Sequence, residues 1–374
     1  MKITIDRKIF AQALAEVAPF APAKAPMAIL KNAKITTKGN RMKVEANDTQ
    51  TSMVKYIETM ECDEDGSFLI DIADFNKYIA KTKGDTIEVT VDGYNIKVKH
   101  SKGTAEFQTA DAKEFPSFNM PQDETTEIRL NSALLADAIQ KGRNFVSNDK
   151  VRPQMGTIYA YVNDKEFGYC ASDTTKLIHG YNECTAEIKT PDGEQKEVNW
   201  YIMPSVFNAV ANACKENDTA VLHITPTKVQ YTIGNVRIQT VLANGKFPAF
   251  RRVIPTIWNM ECAVEKLDIV DALGRVSMFC DSSECMKMDI SRMDMTLSVD
   301  NIDYMKSSKE NITHAGCSGE IQIGVNASKM MTCMSVFNNG EILMRMTDPA
   351  RPILLCTKDV ENLKVIIMPL ALVN

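Results

Sequence analysis

The chain has 374 residues, 44% of them hydrophobic and 24% charged, an ordinary globular composition long enough for two or three domains that each bury a core. No apolar run approaches the ~20 residues that span a bilayer, and the opening Met1-Lys2-Ile3-Thr4-Ile5-Asp6 has no hydrophobic signal core, so a soluble, unprocessed chain is expected. The formal net charge of -5 argues against nucleic-acid binding by the whole surface while leaving room for a local basic face.

Residues 2 to 5 alternate as a short strand, and Phe10, Leu14 and Val17 recur at helical spacing until Pro19, Pro22 and Pro26 stop the helix. Two strands are expected around Gly39-Asn40. A strand over Phe68–Ile70 then meets a helix from Asp71 that carries Phe75 and Ile79. Ile87, Val89 and Val91 alternate up to Asp92-Gly93, and Tyr94, Ile96 and Val98 alternate away from it, a strong hairpin signal. Phe115-Pro116-Ser117-Phe118 closes this first stretch.

A second stretch opens alike, with Ile128 and Leu130 as strand and Asn131-Ser132 capping a helix that carries Leu134, Leu135, Ala138, Ile139, Phe145 and Val146. Gly142 inside that helix implies the close approach of another backbone. Trp200-Tyr201-Ile202 then leads through Ser205, a polar cap, into a helix bearing Val206, Phe207, Val210 and Cys214. A hairpin at Gly234-Asn235 precedes Phe247-Pro248-Ala249-Phe250, an echo of the first closing. The third stretch begins near Glu261, with Ile269, Val270, Leu273 and Val276 on one helix and Met330, Met331, Met334 and Phe337 on another.

The same phrase, strand then capped amphipathic helix, thus recurs at similar intervals, which predicts three tandem units over 1–125, 126–255 and 256–374, each with two helices. The turns are too short for parallel crossovers, so the class is α+β with antiparallel sheets.

Enzymatic signatures are absent. His100, His179, His223 and His314 stand apart, and there is no Walker loop, dinucleotide fingerprint or Gly-x-Ser-x-Gly elbow. Ser147-Asn148-Asp149-Lys150 matches Ser-x-x-Lys, but without its partner motifs it reads as accidental. Cys280 and Cys285 beside Met278 and Met286 read as incidental thiols in a methionine-rich core. Ten cysteines without a CxxC pair read as reduced thiols, hence a cytoplasmic protein, and no metal or cofactor is expected.

Three groups remain: Ala171-Ser172-Asp173-Thr174-Thr175-Lys176-Leu177-Ile178, Lys246-Phe247-Pro248-Ala249-Phe250-Arg251-Arg252-Val253-Ile254-Pro255, and the terminal Val365-Ile366-Ile367-Met368-Pro369-Leu370-Ala371-Leu372. In these groups, and in its three units, the chain resembles the bacterial DNA polymerase sliding clamp, the beta subunit of the replicative polymerase. The resemblance implies a non-enzymatic processivity factor: three clamp domains, inner helices and outer antiparallel sheets, closed into a ring as a head-to-tail homodimer around double-stranded DNA. A scaffold that recruits partners without being loaded on DNA is the competing reading.

Simple geometry bears on the dimer. Helices pack about 8–10 Å apart, so a circle of six leaves a hole of roughly 9 Å, and twelve leave roughly 28 Å. Duplex DNA, whose major groove alone is about 8.5 Å deep, needs the larger one. The predicted helices are net basic while the rest of the chain is net acidic. Candidate phosphate contacts on them are Lys8, Lys77, Lys81, Lys141, Arg143, Lys215, Arg275 and Lys329, with Lys24, Lys150 and Arg152 on loops that the resemblance adds.

The resemblance also implies a peptide pocket for the replicative polymerase, the clamp loader and other clamp-motif proteins. Its residues would be Met155, Ser172, Thr174, Thr175, Lys176, Leu177, Pro248, Arg252, Val253, Ile366, Met368, Pro369 and Leu370. Phe107, Met278 and Phe279 match apolar positions of the family's dimer seam. The chain departs from the common pattern in two places. Thr174-Thr175-Lys176 stands where many members have Gly-His-Arg or Gly-Tyr-Arg, and Ala371 replaces a frequent penultimate arginine.

Overall fold

In the computed structural model, which describes residues 1–120, 125–193, 197–301, 305–314, 316–358 and 362–372, every strand pairing is antiparallel. Among the described residues six α-helices form: α1 (Arg7–Val17), α2 (Ile72–Lys81), α3 (Ser132–Gly142), α4 (Phe207–Lys215), α5 (Lys266–Ser277) and α6 (Ala327–Ser335). Four of them begin at a side chain that accepts orphan amide protons. Asp6 caps α1, Asp71 caps α2, Asn131 accepts from Ala133 N–H at 2.8 Å, and Asn326 caps α6.

Three expectations are corrected. The helix α3 stops at Gly142, so that Phe145 and Val146 lie beyond it. Ser205 does not cap α4: Pro204–Val206 forms a 3₁₀ turn, and the helix begins at Phe207 behind Val206, which has no capping side chain. Gly142 makes room for a side chain rather than a backbone, since a Cβ there would stand 3.0 Å from Ile158 Cδ1.

The hairpins fall at the turn signals, with Gly39, Gly93 and Gly234 at φ of 54°, 55° and 56°, a region where glycine avoids the Cβ clash.

The chain folds into two compact units, residues 1–136, 185–196 and 205–242 in one, and 137–184, 197–204 and 243–374 in the other. The first holds a five-stranded and a nine-stranded sheet, the second an eight-stranded and a four-stranded sheet. The predicted second stretch is shared because its strands pair with both neighbours in sequence. Val236–Val241 bonds to Thr51–Glu58 in the first unit, and Lys176–Glu183 bonds to Leu363–Ile367 in the second. Met286, Met288, Met295, Met330 and Met334 are all fully buried, a methionine-rich filling in the second unit.

Candidate functional site

The pocket belongs to the second unit and is built around a five-residue turn. Strand Glu166–Ser172 ends at Asp173, whose carboxylate gathers the turn: one oxygen accepts from the Thr175 amide at 2.9 Å, the Thr175 hydroxyl at 2.7 Å and the Lys176 amide at 2.9 Å, and the other accepts from Lys176 Nζ at 2.7 Å. Ser172 Oγ accepts from Thr174 N–H at 3.1 Å and donates to the Lys176 carbonyl at 2.9 Å. Burial pushes the Asp173 carboxyl up, but the hydrogen bonds from Lys176 and Thr175 outweigh it and hold it below the usual range.

Thr174 sits at φ +77°, the left-handed region in which a β-branched residue is strained. Lys176 is 8% exposed, with its ammonium 5.4 Å from the centre of the Phe145 ring, so its charge faces Asp173 and the ring inside the protein.

Strand Lys176–Glu183 pairs with Leu363–Ile367 in the register Leu177 to Ile366, and Ile366 in turn pairs with Leu354 on Ile353–Cys356. These three side chains and Met155, Phe247 and Phe250 make one buried cluster. Phe247 stacks on Tyr159 at 5.1 Å, and Phe250 lies 5.0 Å from the His179 ring. His179 accepts this packing as a neutral imidazole, its pKa lowered to about 4 by burial and then by the charges of Arg251 and Lys364.

Over this cluster opens a pocket of about 320 Å³, lined by Arg152, Met155, Ser172, Thr174, Thr175, Lys176, Leu177, Phe247, Pro248, Ala249, Phe250, Val253, Pro352, Ile366 and Met368. The structure therefore brings together most of the residues expected there from sequence. Arg252 stands exposed on the neighbouring 3₁₀ turn, and Pro369 and Leu370 lie beyond Met368; none of these three lines the pocket. Sequence reasoning missed Phe247, Ala249, Phe250 and Pro352, and it assigned Arg152 to DNA rather than to the pocket. The repeated Phe-Pro closing was the signal for the first three. Pro352 carried none, since only the pairing of Ile353–Cys356 with the last strand brings it near.

Two larger clefts lie in the first unit, one between the segment 115–120 and the nine-stranded sheet, where Phe115 and Phe118 meet charged and amide side chains, and one between α1 and α4, where Phe20 meets Lys55, Asn208 and Asn212.

The basic candidates differ in how free they are. Lys8, Lys24, Lys77, Lys81, Arg143, Lys150 and Lys215 are exposed, and Lys329 is half-buried on α6. Lys77 is paired with Asp74 at 3.6 Å, Lys141 with Asp137 at 2.7 Å, Arg152 with Asp149 at 2.9 Å and Arg275 with Glu310 at 2.7 Å. Phe107 is half-buried on the edge strand Gly103–Gln108, its ring 5.0 Å from Phe75 and 5.5 Å from Tyr78. Met278 is 73% exposed just after α5, and Phe279 is half-buried. The Ser147 hydroxyl accepts from Asp149 N–H at 3.0 Å, while Lys150 points to solvent. All ten cysteines are free thiols, five of them buried. Among the described residues there is no group of three or more His, Cys, Asp or Glu side chains placed to hold a metal, and no helix is long and apolar enough to cross a membrane.

The fold is that of the sliding clamps. A sliding clamp (DNA polymerase III subunit beta) from Bartonella birtlesii, solved with griselimycin bound, matches at a TM-score of 0.91 with 20% identity over 100% of both chains. The Helicobacter pylori beta clamp bound to a DNA ligase peptide matches at 0.88 with 16% identity, again over 100% of both. The beta sliding clamp of Bacillus subtilis is 23% identical over 383 residues, 99% of each chain. Models of the N-terminal and C-terminal domains of the DNA polymerase III beta subunit match residues 1–121 and 251–371, and the chain belongs to that family.

Proposed function

We propose that the protein is a DNA sliding clamp, a non-enzymatic processivity factor of the cytoplasm. Two copies close head to tail into a ring around duplex DNA, with Phe107 of one facing Met278 and Phe279 of the other. Three tandem domains, 1–125, 126–255 and 256–374, place their helices toward the DNA, where Lys8, Lys24, Lys77, Lys81, Lys141, Arg143, Lys150, Arg152, Lys215, Arg275 and Lys329 meet phosphates without regard to sequence. Exposed lysines suit a ring that slides, because enclosure replaces grip.

The observation that carries the reading is the apolar pocket of about 320 Å³ in a chain whose fold matches sliding clamps from end to end. It has room for two or three apolar anchors of a partner peptide, each contributing ~1.5–3 kcal/mol gross before ordering costs, which corresponds to about micromolar net affinity. The replicative polymerase, the clamp loader and other clamp-motif proteins would exchange on it at that strength. Arg252, Pro369 and Leu370 would act at its rim.

Loading on nicked circular DNA tests the function. The protein is expected to stay on the circle through a high-salt wash and to leave when the circle is linearised. Equal loss from circular and linear DNA would refute encirclement and leave a scaffold that only recruits partners. Binding of a DNA ligase peptide or griselimycin that is lost on Leu177→Asp substitution tests the pocket separately.

A further inference from the structure

The last residues of the described chain run as a strap beside the pocket, fixed at two points. Met368 donates its N–H to the Thr175 carbonyl at 2.7 Å, and Leu370 donates to the Gly324 carbonyl at 2.8 Å. Gly324 and Leu370 form an isolated antiparallel bridge. Pro369 between them has a fixed φ and no N–H, so a shift at 370 passes stiffly to 368.

Gly324 lies in the strand Ile321–Asn326, opposite Lys287, with ordinary negative φ. Its lack of a side chain therefore answers a need for space rather than for an unusual backbone. A Cβ there would stand 2.6 Å from the Leu370 carbonyl oxygen, 3.3 Å from the Leu370 carbonyl carbon and 3.0 Å from Leu372 Cδ2. Two of these neighbours are backbone atoms and cannot rotate away.

Resting on the peptide-pocket reading above, we propose that Gly324 is a positioning residue of the pocket: it lets the strap seat closely and thereby sets where Met368 stands in the pocket wall. Gly324 itself touches no ligand. With alanine at 324 the Leu370 carbonyl must retreat by roughly 0.8 Å to regain ordinary contact, and a gap of that size forfeits about a quarter to a half of each dispersion contact it opens.

The test compares Gly324→Ala, a chain ending at Pro369, and Gly274→Ala as control, because a Cβ at Gly274 on α5 meets nothing within 4 Å. Two measurements are made on the full protein: titration with griselimycin and with a fluorescein-labelled DNA ligase peptide, and hydrogen exchange at the Met368 and Leu370 amides. Gly324→Ala should raise Kd for either probe about tenfold and speed exchange at both amides. The shortened chain should lose affinity alike without any clash and speed exchange at Met368. The control should change neither. Unaltered exchange in Gly324→Ala, or faster exchange with unaltered affinity, overturns the proposal. If the wild-type protein binds neither probe, the pocket reading fails, and the exchange rates still decide whether Gly324 seats the strap.

Discussion

Replacing Asp173 by alanine strikes the turn that shapes the pocket. It removes the acceptor for four donors at once and leaves the Lys176 ammonium, in a side chain 8% exposed, without its counter-ion. Breaking a buried pair from one side costs about 3–5 kcal/mol, and because the Asp173 side chain is 18% exposed the lower end applies, about 3 kcal/mol. Lys176→Met keeps the stem against Phe145 and leaves the carboxylate three of its donors, so about 1 kcal/mol is expected. The double variant, with no stranded charge, should lose about 2 kcal/mol, less than Asp173→Ala alone. Both tryptophans of the chain, Trp200 and Trp258, lie in the second unit, so urea unfolding followed by tryptophan emission reports the affected unit selectively. A loss below about 1 kcal/mol for Asp173→Ala, or a double variant no more stable than Asp173→Ala, would refute the claim that an internal ion pair organises this turn.

Thr174→Gly relieves a left-handed β-branched residue and should stabilise the second unit by about 0.5–1 kcal/mol in the same urea assay; destabilisation would mean that the methyl and hydroxyl contacts outweigh the strain. His179 has a folded pKa of about 4 against 6.5 when free, so its contribution is fully present above pH 6.5 and is lost as pH falls toward 4. That loss is at most about 3 kcal/mol, and a flatter stability curve over this window in His179→Gln checks it against wild type. Charged substitution at Phe107 together with Phe279 should convert dimers to folded monomers in sizing with light scattering; unchanged mass would remove both residues from the seam.

Legibility from sequence followed the range of the interaction. The cap Asn131 acts over two residues, and the glycines of the hairpins act on their own backbone, so both could be read directly. Ser205 misled because a local rule competes there with Pro204, which starts a 3₁₀ turn instead. The pocket turn was visible as residues, but the strain at Thr174 and the inward pairing of Lys176 were not. A φ angle and an ion pair depend on what strand Leu363–Ile367 and the Phe145 ring leave free nearby.

Spacing and punctuation alone determined that this chain makes amphipathic helices, six among the described residues, and antiparallel sheets, because those periodicities are properties of neighbours along the backbone. Only the tertiary structure decided which strands share a sheet, that the middle of the chain pairs with both neighbours, and that a glycine at 324 faces a carbonyl at 370. Such pairings join residues far apart in sequence, and their energies arise from contacts that no local pattern encodes.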